Sequence, residues 1–427
     1  MNSDERVLRQ PALIADHEKT AVFDRLARSL VLQSLAGIAH GRLVIIEGRR
    51  EMVFGAGGDG LVAKLRVHSF AFYRRIALAG TIGAGEAYMD GLWSSDDLPA
   101  LIRIMVRNRE VQDRLEGGVA QLAGMVQRLL HRLNDNTLSG SRRNIAAHYD
   151  LGNDFYRLFL DPTMAYSCGV FERPDSTLHE ASLAKFDRIC RKLGLAAGMT
   201  VMEIGTGWGG FALHAARHYG CRVTTTTISR QQHDYAAARI AAAGLGDRVT
   251  LLQKDYRELE GQFDRLVSIE MIEAVGHRHL PNFFMTCARL LKPDGLALLQ
   301  AITVPDRIYP RYRRTPDFIN RHIFPGGCCP SLAAMSAAAA AATDLTLIDL
   351  EDLTPHYVLT LRHWRRAFHD SLDAVRTLGY DERFIRMWDY YLAYCEGGFS
   401  EHFTGLLQLL YARPGHRFEA WGNGVRG

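Results

Sequence analysis

Residues 201–210 read Val-Met-Glu-Ile-Gly-Thr-Gly-Trp-Gly-Gly, a short apolar strand that runs into a glycine-rich turn and then into a helical pattern. Gly205, Gly207 and Gly209 have no side chain, so the backbone can approach a ligand closely at these positions. The following helix would present its N-terminal amides to the polar groups of that ligand. This stretch therefore predicts a cofactor site at the end of a strand in an α/β fold.

Two cofactors are compatible with the glycine turn. The spacing of Gly205, Gly207 and Gly210 satisfies GxGxxG, which leaves a dinucleotide open. However, the second predicted strand ends in Thr-Thr-Thr-Thr-Ile-Ser (residues 224–229), without the acid that would hold a dinucleotide ribose. Glu203 precedes the first glycine, and Asp255 follows the third strand. This order favours S-adenosylmethionine.

The chain after residue 140 alternates strand and helix patterns, which is typical of a parallel sheet with crossover helices. The five clearest strand candidates are residues 200–204, 222–226, 249–253, 265–269 and 295–300. Two more, at 345–350 and 406–411, flank an aromatic segment at 357–394 that we expect to be helical. The sequence thus predicts an α/β fold with a mostly parallel, seven-stranded Rossmann sheet of the class I methyltransferase type.

The first 135 residues differ in pattern and predict a smaller N-terminal α+β domain, followed by a catalytic domain at 136–427. Its predicted features are β-like runs at 43–46 and 61–67, a loop marked by Gly83, Gly85 and Gly91, a helix capped by Asp96–Asp97, and a second helix at 119–133. The second helix is either packed in the core or interfacial on an anionic membrane. Residues 134–143 are polar and predict a linker.

Composition limits the classes of function. The net charge of +4 is small for 427 residues and argues against a protein that coats nucleic acid. The seven cysteines form no CxxC pair, which predicts no structural metal and a reducing cytoplasm. The N-terminus lacks a signal-like apolar run, and the small apolar stretch 333–342 is too short to span a bilayer. We therefore expect a cytoplasmic protein with, at most, peripheral membrane contact.

Several longer motifs resemble one enzyme family. They are NIAAHYDLGNDFY (144–156), MAYSCGVF (164–171), EIGTGWGG (203–210), SIEMIEAVGH (268–277), IFPGG (323–327), His356-Tyr357 and CEGGF (395–399). Together they resemble the cyclopropane-fatty-acyl-phospholipid synthases, a family that includes mycolic-acid cyclopropane synthases and fatty-acyl methyltransferases. The resemblance covers residues 140–415. More weakly, GEAYMDGLW (85–93) resembles the N-terminal lipid-binding domain of the longer bacterial members.

The resemblance implies that the protein transfers a carbon from S-adenosylmethionine to the cis double bond of an unsaturated phospholipid acyl chain and forms a cyclopropane ring. The lipid would be met at the membrane, with no nucleic-acid partner; a homodimer stays open. The alternatives are a C-methyltransferase that gives a methyl- or methylene-branched chain, a small-molecule N- or O-methyltransferase, and a lipid-binding protein without activity.

The family's cofactor contacts carry over to Tyr166, Ser167, Glu203, Gly205, Gly207, Gly209, Thr227, Gln232, Asp255 and Tyr256. In this family a bound bicarbonate is thought to be the base. Its contacts carry over to the backbone of Cys168, to Glu273, to the backbone of Ile302 and to Tyr357. Glu270 lies nearby, but the motif alignment favours Glu273.

One residue departs from the family pattern. Gln300 occupies the position where a histidine is usual. Glutamine can donate a hydrogen bond but cannot take a proton. Either Gln300 serves as a neutral ligand, or this branch of the family has a different final step.

Overall fold

The computed structural model describes residues 22–58, 60–115 and 151–417, and within these ranges the chain forms a four-stranded and a seven-stranded sheet. The predicted helix at 119–133, the predicted linker at 134–143 and the motif residues 144–150 lie outside the described ranges. None of the described helices is both long enough and apolar enough to cross a membrane.

The four-stranded sheet lies in residues 22–115, which we call the N-terminal domain, and the rest of the described chain is called the catalytic domain; the predicted boundary near residue 135 lies outside the described ranges. The strands of this sheet are β1 (Arg42–Glu47), β2 (Arg50–Phe54), β3 (Val62–Val67) and β4 (Trp93–Ser95), in the order β2-β1-β3-β4. The helices of the N-terminal domain are α1 (Val22–Leu35), α2 (Ala71–Met89), α3 (Leu98–Arg107) and α4 (Arg109–Leu115). The predicted cap is confirmed, because the Asp97 carboxylate accepts the N–H of Ala100 at 2.9 Å at the start of α3.

The prediction of a loop at Gly83 and Gly85 is wrong, because both residues lie inside α2. These glycines serve close packing. A Cβ on Gly85 would lie 2.5 Å from a ring carbon of Phe318, in the other domain. Gly80 bends α2 with a φ of 56°, and Gly91 does mark the turn after the helix.

The seven-stranded sheet contains all seven predicted strands, with ends that differ by a few residues. They are β5 (Thr200–Ile204), β6 (Arg222–Thr226), β7 (Val249–Leu252), β8 (Phe263–Ile269), β9 (Leu291–Thr303), β10 (Thr346–Asp352) and β11 (Gly405–Ala412). The order is β10-β11-β9-β8-β5-β6-β7, and only β11 runs antiparallel to its neighbours. Strand β5 pairs with β6 on one side and with β8 on the other, so the strand order reverses direction at β5. Ligands bind at such a switch point, outside the carboxyl ends of the strands.

Eleven α-helices are described after residue 150. They are α5 (Asn153–Arg157), α6 (Leu178–Lys192), α7 (Gly210–His218), α8 (Arg230–Ala242), α9 (Leu280–Leu290), α10 (Tyr309–Tyr312), α11 (Phe318–His322), α12 (Leu332–Ala342), α13 (Thr354–Asp370), α14 (Leu372–Thr377) and α15 (Glu382–Ser400). Val201 packs with the apolar residues of α6 and α7, whereas Met202 packs with those of α9 and α12. This alternation follows from the two-residue period of a strand.

The aromatic segment 357–394 is helical, as predicted, and forms α13, α14 and most of α15. Helix α15 packs against α2 and α3 and so joins the two domains. The Tyr88 hydroxyl of α2 donates to the buried Asp389 carboxylate of α15 at 2.6 Å. Helix α15 therefore holds the N-terminal domain against the rest of the described chain.

Candidate active site

The glycine turn after β5 leaves room for a ligand. Gly205 and Gly207 have φ angles of 104° and 53°, which L side chains rarely adopt. The position that a Cβ would take on Gly207 has no other atom within 4 Å. Gly209 has a different role: it begins α7 in a left-handed conformation and faces Ala236 of α8.

A cavity of about 1550 Å³ opens at this turn. Nine of the ten cofactor residues expected from the sequence line it, Gly209 being the exception. The nine are Tyr166, Ser167, Glu203, Gly205, Gly207, Thr227, Gln232, Asp255 and Tyr256. They come from the ends of β5, β6 and β7, from the first turn of α8 and from the segment before α6. The fold thus brings together residues that lie up to 90 positions apart (166 to 256).

Buried hydrogen bonds hold the polar groups of this part of the cavity. The Thr227 hydroxyl donates to the Gln232 amide oxygen at 2.9 Å. Both carboxylate oxygens of Asp255 accept from the guanidinium of Arg257 at 2.8 Å, a contact that the sequence analysis missed. Burial raises the pKa of Glu203 to about 8 even though it accepts a hydrogen bond from Thr225. These residues present a preformed polar surface beside the open glycine turn.

Glu270 forms the centre of the polar cluster at the end of β8. Its Oε1 accepts the backbone N–H of Cys168 at 2.9 Å and the side-chain amide of Gln300 at 2.7 Å. Its Oε2 accepts the hydroxyl of Tyr357 at 2.6 Å. Burial raises the pKa of Glu270, although these three donors and the Lys185 charge act to lower it. A buried carboxylate with a raised pKa is suited to accept a proton.

The backbone of Glu270 directs this side chain. Its φ is 51°, which is uncommon for a residue other than glycine and typical of functional sites. Its N–H donates to the carbonyl of Gln300 on β9 at 2.7 Å. The end of β8 is thereby tied to the neighbouring strand.

Glu273, the acid that the sequence analysis favoured, lies in the same cavity but has different partners. Its Oε1 accepts the backbone N–H of Ile302 at 2.5 Å, and its Oε2 has no hydrogen-bond partner among the described residues. Burial and the neighbouring Glu270 charge raise the pKa of Glu273 to about 8. The Glu270 charge thus disfavours ionisation of Glu273.

The donors expected to hold bicarbonate do not fit that role. The backbone N–H of Cys168, the Gln300 amide and the Tyr357 hydroxyl all donate to the Glu270 carboxylate. A free bicarbonate would have to displace a carboxylate that is covalently part of the chain. The side chain of Glu270 thus occupies the place that the sequence analysis gave to the ion.

Gln300 hydrogen-bonds to Glu270 and Gln408, whereas the sequence analysis offered it as a neutral ligand of bicarbonate. Its amide nitrogen donates to Glu270, and its amide oxygen accepts from the Gln408 amide of β11 at 2.9 Å. This second hydrogen bond orients the amide so that its N–H₂ faces the carboxylate. The thiol of Cys168 is buried, and burial holds its pKa well above the usual range, which is unsuited to a nucleophile.

Lys185 is a charged residue of the site that the sequence analysis missed. Its side chain is fully buried, and its ammonium donates to the hydroxyl of Ser167 at 2.6 Å. Burial lowers the pKa of Lys185, while the charges of Glu270 and Glu203 act to raise it. The sequence does contain a signal for this burial. Lys185 is four residues from an apolar residue on either side along α6, and residues four apart lie on the same face of a helix.

Aromatic rings line the cavity next to Glu270. Tyr166, Phe324, Tyr357, Tyr391 and Phe399 all face it. The hydroxyls of Tyr166 and Tyr391 lie 2.8 Å apart, in hydrogen-bond contact. Such ring faces can stabilise a positive charge, and a wall of this kind excludes water.

The sequence model of the family described as mycolic acid cyclopropane synthetase matches residues 137–409. The chain belongs to this family. Among its relatives, tuberculostearic acid methyltransferase of Mycobacterium tuberculosis is 40% identical over 363 residues, which cover 81% of this chain and 82% of that protein. Cyclopropane-fatty-acyl-phospholipid synthase of Escherichia coli is 35% identical over 363 residues, which cover 82% of this chain and 88% of that protein.

A solved structure of the mycolic acid cyclopropane synthase CmaA1, complexed with SAH and CTAB, is similar to this family member. The identity is 34% and the TM-score is 0.60, with 64% of this chain and 98% of that chain covered. The predicted class I methyltransferase fold is confirmed.

Proposed function

We propose that the protein adds one carbon from S-adenosylmethionine to the cis double bond of an unsaturated phospholipid acyl chain. We further propose that Glu270 takes the proton which the transferred methyl group then loses. The single observation that carries this proposal is the Glu270 carboxylate, held by Cys168, Gln300 and Tyr357 in an aromatic-walled cavity that continues to the glycine turn.

The residues around the glycine turn fit the cofactor. Gly205 and Gly207 leave open backbone for it, and Asp255 and Gln232 offer polar contacts. The relative that was solved with SAH, the demethylated form of the cofactor, supports this assignment. When bound, S-adenosylmethionine supplies an electrophilic methyl group.

The rest of the proposed reaction depends on this chain's own residues. An alkene is a weak nucleophile, so the cavity must hold the acyl chain in a productive position. Methyl transfer leaves a positive charge on the acyl chain, which the ring faces of Tyr166 and Phe399 would stabilise while excluding water. Glu270 then accepts a proton from the transferred methyl, and the C–H electron pair closes the ring.

A methylene-branched chain is the second candidate product. It is favoured by the 40% identity to a tuberculostearic acid methyltransferase. In this case a hydride shifts along the acyl chain before Glu270 takes the same methyl proton, and the electron pair forms a carbon–carbon double bond. Both products carry one additional CH₂ and use the same base. We also propose that the protein meets its lipid by peripheral contact with the membrane.

The test is incubation of the purified protein with methyl-labelled S-adenosylmethionine and vesicles of cis-unsaturated phospholipid. We expect label in the acyl chains. Proton NMR of the isolated chains separates the products, since a ring gives cyclopropyl signals and a branch gives exocyclic methylene signals. Unlabelled acyl chains, with cofactor binding demonstrated by calorimetry, would contradict the proposal.

Glu270→Gln tests the role of the base in the same assay. Loss of a general base typically lowers turnover ~10²–10⁴-fold. We expect a loss in this range with an unchanged Kd for S-adenosylmethionine. The exposed Glu260→Gln is the matched control and should retain full turnover. Normal turnover of Glu270→Gln would remove Glu270 from the reaction.

A further inference from the structure

The cavity does not end at the catalytic domain. It continues between the elements of the N-terminal domain, where Val31 of α1, Leu43 of β1, Leu65 of β3, Ile76 of α2, Trp93 of β4 and Leu101 of α3 line it. We call this part the N-terminal arm. Because these side chains are hydrocarbon or aromatic, the arm suits an apolar ligand.

The bend in α2 shapes the wall of the N-terminal arm. Gly80 adopts non-helical backbone angles in the middle of α2 and lines the cavity, as do Ala79 and Ala84 on either side of it. A bent helix with small side chains leaves open space where a straight, large-residue helix would fill the domain core.

The volume of the cavity exceeds the needs of one small ligand. Pockets that hold a drug-sized molecule measure ~300–1,000 Å³, whereas this cavity measures about 1550 Å³. It therefore has room for more than one ligand.

Cationic groups line the cavity where the two domains meet. The guanidinium of Arg109, on α4, lies 5.2 Å from the ring centroid of Phe403 in the catalytic domain. Close by in sequence, Asp113 accepts a hydrogen bond from Arg311 of the catalytic domain at 2.8 Å. All four residues line the cavity. A phosphodiester at this junction would lie beside arginines, which bind phosphate well.

We propose that the N-terminal arm binds the second acyl chain of a two-chain phospholipid, while the reacting chain lies beside Glu270 and the headgroup phosphate lies at the Arg109 junction. This inference rests on the proposed function. The N-terminal domain would then bind an acyl chain in its interior, in addition to any contact that its outer surface makes with a membrane.

Trp93 allows a direct test, because its indole lines the arm. The probe is a phospholipid with one cis-unsaturated chain and one dibrominated chain, since bromine quenches tryptophan fluorescence on contact. We expect stronger fractional quenching in the wild type than in Trp93→Phe. Equal quenching in the two proteins would overturn the proposal.

A turnover ratio tests the arm independently. Ala84→Phe and Val31→Phe fill the arm from two different helices. We expect each to lower the ratio of turnover on diacyl phospholipid to turnover on the one-chain lysophospholipid at least tenfold. Leu78→Phe, at an exposed position on α2, is the matched control and should leave this ratio unchanged. An unchanged ratio in both filling variants would contradict the proposal.

The failure of this inference differs from failure of the proposed function. If the wild type transfers label to neither lipid, the proposed function fails. If it transfers label to both lipids while Trp93 is not quenched, only the second-chain site fails.

Discussion

In the proposed reaction, Glu270 takes the role that a bound ion would otherwise have. Its positive φ and its three donors hold a carboxylate where the sequence analysis expected bicarbonate. Because the carboxylate is part of the chain, its local concentration does not depend on the solution. The proposed base is therefore present at all times, and added bicarbonate should leave the wild-type rate unchanged.

Removing the Glu270 side chain should restore a place for the ion. Glycine tolerates a φ of 51°, so Glu270→Gly keeps the backbone while freeing the Cys168, Gln300 and Tyr357 donors. We expect turnover to fall ~10²-fold or more and to recover in part when bicarbonate is added. Glu270→Gln is the control, because its amide fills the same space and should prevent rescue. The measurement is turnover against bicarbonate concentration, and a flat response in Glu270→Gly would count against the shared site.

Helix α15 shows why the CEGGF motif has two glycines with different roles. Gly397 faces α3, and a Cβ there would lie 2.6 Å from a methyl carbon of Ile102. Gly398 has more space, since its nearest neighbour would be the Thr404 hydroxyl at 3.4 Å. The first glycine thus allows the two domains to approach closely.

The two glycine-to-alanine variants should therefore differ in stability. Gly397→Ala is expected to be destabilising, because overpacking typically costs ~1–3 kcal/mol, more than the gain in helix propensity. Gly398→Ala is the matched control, and it should be neutral or stabilising by up to ~1 kcal/mol. Urea unfolding of both variants gives the comparison. Equal free energies of unfolding would show that the close approach of α15 to α3 is not a stability determinant.

At the scale of the whole molecule, a buried ionic cluster joins the two domains. Asp389 accepts from Tyr88 of the N-terminal domain and from Arg365 and His369 of α13, at 2.6–2.8 Å. Burial alone would raise the pKa of Asp389, but the charges of Arg365 and His369 and the hydrogen bonds outweigh it and hold this pKa well below its usual range. The cluster fixes the N-terminal domain over the cavity.

This cluster predicts a pH-dependent loss of stability. A carboxylate with a lowered folded pKa stabilises the protein above its unfolded pKa of about 3.9 and loses that contribution as the pH falls towards the folded value. Asp389→Asn leaves Arg365 without its anionic partner, which should cost ~3–5 kcal/mol at pH 7. The stability difference from the wild type should narrow below pH ~4.

Urea unfolding at several pH values measures this difference. The fully exposed Asp373→Asn on α14 is the control, and its free energy of unfolding should stay within ~0.5 kcal/mol of the wild type. If the difference in free energy of unfolding between Asp389→Asn and the wild type is constant from pH 7 to pH 3, the carboxylate charge does not contribute to stability.

The sequence by itself determined the catalytic fold, because strand periodicity and the glycine turn are local signals that mark all seven strands and the first turn. The ten expected cofactor residues came from the family resemblance, and nine of them line the cavity. Local patterns misled at Gly83 and Gly85, because Gly83 packs against the backbone of Arg75 within the bent α2 and Gly85 packs against Phe318 of a distant element.

Only the tertiary structure decided which acid of SIEMIEAVGH meets the donors. Glu270 and Glu273 are three residues apart, so spacing and composition treat them almost alike. The donors come from Cys168, Gln300 and Tyr357, and only the folded sheet brings these three segments to the end of β8. The N-terminal arm has the same origin, because a cavity arises from how elements pack and no single segment encodes it.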